Sequence, residues 1–534
     1  MNAGSPIKKI FNHTISGFVN FAIMMQSSRP IKKALISVFH KDGLENLLSE
    51  LSSAGCEFIS TGGTSAFIKS LGYQIKDVNH ITGYPEILGG RVKTLHPAIF
   101  GGILSRTGNQ QDAQELSEHG IEEIDLVVVD LYPFSETLAS GASEAEIIEK
   151  IDIGGISLIR AAAKNYHRTA IVSDKQQYSE IVNWLRSQDG AITIEQRKKL
   201  AYEAFAKSSA YDSSIMNYFA AGQPGCSIRI CADEIKPLRY GENPHQKGWY
   251  YGDCGKFFTQ LNGKEISYNN FLDIDAAFAL IKEFDSEKPA FIIIKHNNAC
   301  GAAIADQKGN AWKKALASDP LSAFGGVIIT QTLVDEEIAS EIDKIFFEVL
   351  VAPEFTSEAL DILKKKSNRI ILKSRQEKFP DKQIRTCLDG YLVQETDNYK
   401  EKAEDFRLVT QNKPEAGSFH DIELALKICK HSKSNAIILV KDGQLIGSGA
   451  GLTSRVDALR LALERAKTFG FSANGACMAS DAFFPFADCV EIAAASGIKT
   501  IVQPGGSIKD KDSIEAADKL GIGMFFTGVR HFRH

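Results

Sequence analysis

Lys295 and His296 stand side by side where the apolar run of residues 291–294 stops, in FIIIKHNNACGAA at 291–303. An imidazole that titrates near neutrality can take a proton, and a neighbouring ammonium can stabilise an oxyanion as it forms. The plainer alternative is a lysine leaving the core and a histidine satisfying a turn. Elsewhere, STGGT at 60–64 offers backbone N–H groups freed by two glycines, two threonine hydroxyls and a helix N-terminus, which together suit a phosphate. It is neither a GxxxxGK[ST] loop nor a GxGxxG fingerprint. GGRVKTLHP at 89–97 adds Arg91 and Lys93 in a Gly- and Pro-bounded loop, so an anionic small molecule fits there.

Further groups are spread along the chain. Asp152 precedes a Gly-Gly turn in IDIGGISLIRAAAKN, and Lys164 follows twelve residues later. The two could move protons if brought together and tuned by burial, or could form a plain salt bridge. Tyr132 in DLYPF lies just past a strand end, where loops carry function. In LRYGENPHQ at 238–246, Arg239 could clamp a phosphate and Tyr240 could stack on a planar ring. ASDAFFPFADC at 479–489 reads on composition as core, and GVRHFRH at 528–534 as either a frayed basic tail or a docked anion-binding end. Cys477, Cys489 and the histidines lack the HxE and PCxxC elements of zinc deaminases, so no metal site is read there.

The elements that must hold these groups are α/β. ALISV at 34–38 reads as a strand, and Leu44, Leu47, Leu48 and Leu51 fall at helical spacing before Gly55. CEFIS, LVVVD at 126–130 and TAIVS at 169–173 read as further buried strands, which predicts a parallel sheet. A helix around 197–220 ends this region, and AAGQPG at 220–225 reads as a linker. The remainder mixes FIIIK, GGVIIT, NAIILV and TIVQ with helices, and Asp442-Gly443 marks a two-residue hairpin. This part reads as a mixed sheet with two subdomains and no sequence repeat. The charged stretch at 363–383 reads as an exposed connector.

Bulk properties bound the answer. At 534 residues the chain exceeds a single core, and 61 Lys plus Arg against 66 Asp plus Glu leave a net charge of -5. No footprint for nucleic acid or an anionic membrane follows, so any anion site is local. Nine cysteines, odd in number and without a CxxC pair, fit a reducing cytoplasm. No apolar run of about 18 residues predicts a membrane span. Residues 1–29 read as a leader, with translation starting at Met24 or Met25; the intact mass of the native protein tests this.

STGGT, GGRVKTLHP, IDIGG with LIRAAAKN, LRYGENPHQ, KHNNACG, SNAI, GAGLTSR, SDAFFPF and GVRHFRH follow one another in the order of a single family. The sequence closely resembles the bifunctional purine biosynthesis enzymes that fuse phosphoribosylaminoimidazolecarboxamide (AICAR) formyltransferase to IMP cyclohydrolase, from about residue 32 to the C-terminus. The resemblance implies a methylglyoxal-synthase-like, Rossmann-type domain over 30–225 that closes formyl-AICAR to IMP with loss of water. Ser37, Lys41, Thr61, Gly62, Gly63, Thr64, Arg91 and Thr94 would bind that substrate. Lys93, Tyr132, Asp152 and Lys164 would act on it.

It implies a formyltransferase over 226–534, with two cytidine-deaminase-like subdomains that lack zinc. There His296 would be the base, Lys295 the oxyanion contact and proton donor to the leaving folate nitrogen, and Asn435 a positioning group. Arg239, Tyr240, Arg455, Phe483 and Arg530 would bind the nucleotide, and Phe324 would lie where the folate does. The co-substrate would be 10-formyltetrahydrofolate, no metal would be required, and the chain would be a cytoplasmic homodimer. Phe39-His40, Asp130, Ala299, His431 and Leu452 depart from the family pattern. Phe39-His40 and Asp130 would alter contacts around the cyclohydrolase site; Ala299, His431 and Leu452 lie in the formyltransferase part, where His431 and Leu452 flank binding residues.

Overall fold

Five short parallel strands form the sheet of the first of two compact units into which the chain divides between Asp233 and Glu234. The structure is a computed structural model that describes residues 28–220, 232, 235–284, 287–414 and 418–534. The expected start at Met24 or Met25 and the 221–225 part of the expected linker lie outside the described residues. Ser28 and Arg29, read above as leader, belong to a strand, Ser28–Pro30, antiparallel to Ala191–Thr193.

In the first unit, β1 (Lys33–Ser37), β2 (Glu57–Ser60), β3 (Lys76–Asp77), β4 (Leu126–Val129) and β5 (Ala170–Val172) are ordered β3-β2-β1-β4-β5. The centre of β1, all of β4 and all of β5 are buried, as near-continuous apolar runs in a sheet covered on both faces require. Helix α1 (Leu44–Ser53) turns Leu44, Leu47, Leu48 and Leu51 fully into this core. Helix α2 (Gly62–Ser70) follows β2 directly, and α3 (Gly154–Lys164) and the long α4 (Ile194–Ala220) close the unit. The STGGT glycines therefore form the first turn of α2 rather than a separate turn.

The second unit is built on one twelve-stranded sheet. Its strands are β6 (Phe258–Asn262), β7 (Ala290–Lys295), β8 (Asn298–Ile304), β9 (Val327–Thr330), β10 (Val349–Ala352) and β11 (Ile370–Ser374). Then come β12 (Arg407–Leu408), β13 (Ile437–Lys441), β14 (Gln444–Gly449), β15 (Cys477–Ser480), β16 (Thr500–Gln503) and β17 (Gly523–Phe526). The order β6-β11-β10-β9-β7-β8-β14-β13-β15-β16-β17-β12 reads as one six-strand half followed by its own reversal.

Every pairing repeats. β7 is antiparallel to β8 and β9, as β13 is to β14 and β15, and the remaining inner strands are parallel in both halves. Each half also opens with an edge strand and a helix, α5 (Tyr268–Ile281) or α7 (Ser418–Lys430). A further helix, α6 (Lys308–Ser318) or α8 (Arg455–Thr468), crosses after the hairpin. Gly301 in β8 and Gly447 in β14 face the same need: a Cβ on either would lie 2.2 Å from a carbonyl of the crossing helix, Ala315 or Ala462.

The sequence showed no such repeat, because what is duplicated is topology and close approach, which many apolar sequences satisfy. The reading of 363–383 as a connector is corrected: Ile370, Ile371 and Leu372 are fully buried in β11, inside the sheet. Lysines and arginines at both ends of this short parallel strand hid it. The exposed hairpin of Lys382–Cys387 and Gly390–Glu395 follows.

Candidate active sites

In the first unit a cavity of about 560 Å³ opens at the carboxyl ends of β1, β2 and β4, the edge of a parallel sheet where ligands bind. Ser37, Lys41, Thr61, Gly63, Thr64, Arg91, Lys93, Thr94, Tyr132 and Asp152 all line it. Gly62 stands beside them, since a Cβ there would lie 3.2 Å from Lys93 Nζ. Thr61 occupies the N-cap of α2, yet its hydroxyl does not cap the helix. Together with the dipole, the first-turn N–H groups form an anion cradle.

Lys164 is placed differently. It ends α3, whereas Asp152 precedes the start of that helix, so roughly 15 Å of helix axis separates them. The structure does not bring the two together, and Lys164 does not line the cavity.

Lys41, Thr61, Thr64, Arg91, Lys93 and Asp152 are each held by a neighbour. The Thr61 hydroxyl donates to Glu86 Oε1 at 2.5 Å, and Lys93 Nζ lies 3.3 Å from Glu86 Oε2. Glu86, in YPEILGGRVK, was missed from sequence: a lone carboxylate three residues before a Gly-Gly pair gives no signal. Lys41 Nζ donates to the Val38 and Phe39 carbonyls and to Thr64 Oγ1, and burial pulls its pKa down against the pull of Asp130.

Asp152 Oδ1 accepts from Gly155 N–H at 2.6 Å, and burial raises its pKa. Arg91 lines the cavity while its guanidinium pairs with Glu149. The departures Phe39, His40 and Asp130 form one unit. The backbone N–H groups of Phe39 and His40 donate to the Asp130 carboxylate, and His40 Nδ1 lies 2.8 Å from Asp130 Oδ2. Phe39 lines the cavity and packs edge-on against Tyr132 at 5.7 Å, with Lys150 Nζ over both rings.

In the second unit, β7 delivers Lys295 and a two-residue turn presents His296, exposed, with φ +50°. Lys295 Nζ donates to the carbonyls of Phe324 at 3.0 Å and Gly325 at 2.9 Å, which brings Phe324 to the site. Asn298 donates to the His296 carbonyl and accepts from Lys433 N–H, reaching across to the second half. Asn435 then donates to the Leu452 and Thr453 carbonyls and accepts from Arg455 Nη2 at 2.7 Å. Arg455, almost fully buried, also binds Ser480 Oγ and Asp481 Oδ1.

The remaining residues sit around this chain of contacts. The Asp481 carbonyl accepts from His531 N–H, so the tail that carries Arg530 is docked beside the loop that carries Phe483. Arg530 stacks over Phe532 and Arg239 over Tyr240; no hydrogen bond ties Arg239 or Tyr240 to His296. The departure at Leu452 meets Asn435 through its carbonyl, which any side chain supplies. Ala299 is buried in β8, and His431 Nε2 lies 3.1 Å from Glu283 Oε1, with burial lowering its pKa.

The tail is fixed by a buried charge network. His531 Nδ1 contacts Asp397 Oδ2 at 2.5 Å and its Nε2 lies 3.4 Å from Glu401 Oε1. Burial opposes its charge, but the two carboxylates prevail and raise the pKa to about 9. Arg533 accepts from Ser434 N–H through its carbonyl and donates its own N–H to Ser434 Oγ, immediately before Asn435.

Comparison with known proteins finds relatives that span both units. A sequence model described as AICARFT/IMPCHase bienzyme matches residues 162–465, and one described as an MGS-like domain matches residues 43–157. The bifunctional purine biosynthesis protein PurH of Bacteroides thetaiotaomicron is 55% identical over 510 residues, covering 96% of this chain and 100% of that protein. Those of Aquifex aeolicus and Chlorobium phaeobacteroides are 43% and 44% identical, each over 94% of this chain and at least 99% of their own length. Similarity of this extent across both units shows that the chain belongs to the AICARFT/IMPCHase bienzyme family.

Proposed function

We propose that the two sites divide two consecutive reactions, with residues 226–534 transferring a formyl group to AICAR and residues 30–225 closing the product to IMP. The chain is a bifunctional enzyme of purine biosynthesis with AICAR formyltransferase and IMP cyclohydrolase activities. The family implies a folate-type formyl donor, which we assign as 10-formyltetrahydrofolate. In the transfer, the 5-amino nitrogen of AICAR attacks the formyl carbon, His296 takes the proton that nitrogen loses, and the folate N10 leaves with a proton donated by Lys295. Lys295 faces the oxyanion. Two of its three N–H donors are committed to backbone carbonyls, so its direction is set and one donor remains for the charge that develops. Asn435 and Arg455, locked to each other, hold the nucleotide side of the reaction, with Arg239, Tyr240, Phe483 and Arg530 as further nucleotide contacts.

For ring closure, the carboxamide nitrogen attacks the formyl carbon and sheds a proton, and the oxyanion that forms is protonated to a hydroxyl. This hydroxyl takes a second proton and departs as water while the formamide nitrogen loses its proton to form the ring C=N bond. We assign the 5'-phosphate to Thr61, Gly62, Gly63 and Thr64 with Ser37 and Lys41, and oxyanion contact and proton supply to Lys93 and Tyr132. Asp152 orients the carboxamide. Lys164 stands outside this chamber and receives no step.

A cytoplasmic homodimer is the assembly proposed. Its support is the family resemblance, the free thiols of the described cysteines and the apolar side chains left exposed near the transfer site, Leu321, Phe324 and Phe486. Among the described residues no helix is long and apolar enough to cross a membrane.

The observation that carries the reading is the pairing of an outward His296 with an ammonium already fixed on two carbonyls. The test mixes the protein with AICAR and 10-formyltetrahydrofolate and follows tetrahydrofolate and IMP separately. Matching amounts of both are expected. A His296→Ala variant should lose formyl transfer and still close supplied formyl-AICAR; transfer at the parental rate would remove His296 from the mechanism.

A further inference from the structure

Among the described residues, His296 and Asn297 are the only adjacent non-glycine residues that both have positive φ, +50° and +63°. A two-residue hairpin turn of this hand favours glycine at its second position. The other half of the sheet obeys that preference: its matching turn is Asp442 at φ +51° and Gly443 at φ +72°. Both turns are held from beneath by a carboxylate on the helix that precedes the strand. On α7, Asp421 accepts from the N–H groups of Asp442 at 2.9 Å and Gly443 at 2.7 Å. On α5, Asp273 Oδ1 accepts from Asn297 N–H at 2.7 Å, and its carboxyl faces the His296 backbone N–H, the His296 ring and the Lys295 ammonium.

We infer that Asp273 is a positioning residue for formyl transfer, fixing through the turn backbone the direction in which His296 meets the amine. The two halves thus share one device, but only the first places an imidazole on it and keeps a side chain where glycine would relax the turn. Without the carboxylate, the His296-Asn297 turn is free to leave the left-handed region, and the imidazole loses its aim. Asp421 supports a turn whose glycine adopts its φ without help and which presents no catalytic group.

This inference rests on His296 being the base, so the His296→Ala assay above is run alongside; failure there indicts the base and not its support. Asp273→Asn should lower kcat for formyl transfer at least tenfold, with the AICAR KM within twofold and closure of supplied formyl-AICAR unchanged. Adding Asn297→Gly to that variant should restore part of the lost kcat, because glycine holds the turn unaided. Asp421→Asn should lower the melting temperature of the full-length protein about as much as Asp273→Asn does, while leaving transfer within twofold. Equal losses of transfer in the two aspartate variants, or a change confined to KM, would overturn the inference. If Asp273→Asn does not fold, Asp273→Glu replaces it: the carboxylate is kept but displaced by one methylene, and an unchanged kcat in that folded variant would overturn the inference equally.

Discussion

Replacing His531 with glutamine removes an imidazole that is 6% exposed and lies between two carboxylates, Asp397 and Glu401. Its pKa rises from 6.5 in the unfolded chain to about 9 in the folded one. Because the folded value is the higher, the charged imidazole stabilises the fold fully below the unfolded pKa, and that contribution disappears as pH climbs through the folded pKa. A shift of this size corresponds to roughly 3 kcal/mol in total, of which about 2.5 remains at pH 7 and less than about 0.5 at pH 9. Urea unfolding of the full-length protein at pH 7 and pH 9 reads the difference. The parent should lose about 2 kcal/mol more than His531→Gln over that interval. Formyl transfer should fall in parallel, since the same tail holds Ser434 next to Asn435. An identical pH dependence in parent and variant would refute the linkage.

Gly301→Ala would drive a Cβ to 2.2 Å from the Ala315 carbonyl, backbone against backbone, so a loss of about 3 kcal/mol or more is expected from thermal unfolding followed by circular dichroism. Asp152→Asn should slow closure of formyl-AICAR by about 100-fold through lost orientation of the carboxamide while formyl transfer continues, read as accumulation of formyl-AICAR in the coupled assay. Asp481→Ala would leave the buried Arg455 guanidinium without its carboxylate, and denaturant titration should show about 3–5 kcal/mol lost together with formyl transfer.

Sequence by itself determined the elements whose pattern is local. Leu44, Leu47, Leu48 and Leu51 needed only helical spacing, and Asp442-Gly443 only the turn rule, and both stand as read. Motif order likewise reached most cavity residues, because STGGT and DLYPF place their functional atoms within a few residues of a strand end and GGRVK concentrates two cations in one short loop. Tertiary structure decided what depends on partners distant in sequence. Lys164 shares a motif with Asp152, but a rigid helix carries it away from the cavity. Glu86 gains its meaning only where the loop folds over Thr61, and Asp273 only where α5 passes beneath the His296 turn. The charged flanks of residues 363–383 hid a strand that only pairing with its neighbour in the sheet reveals. The duplication of the second unit was invisible for the same reason: twelve strands repeat their pairing and crossing order, and burial asks only that the residues be apolar and of the right size.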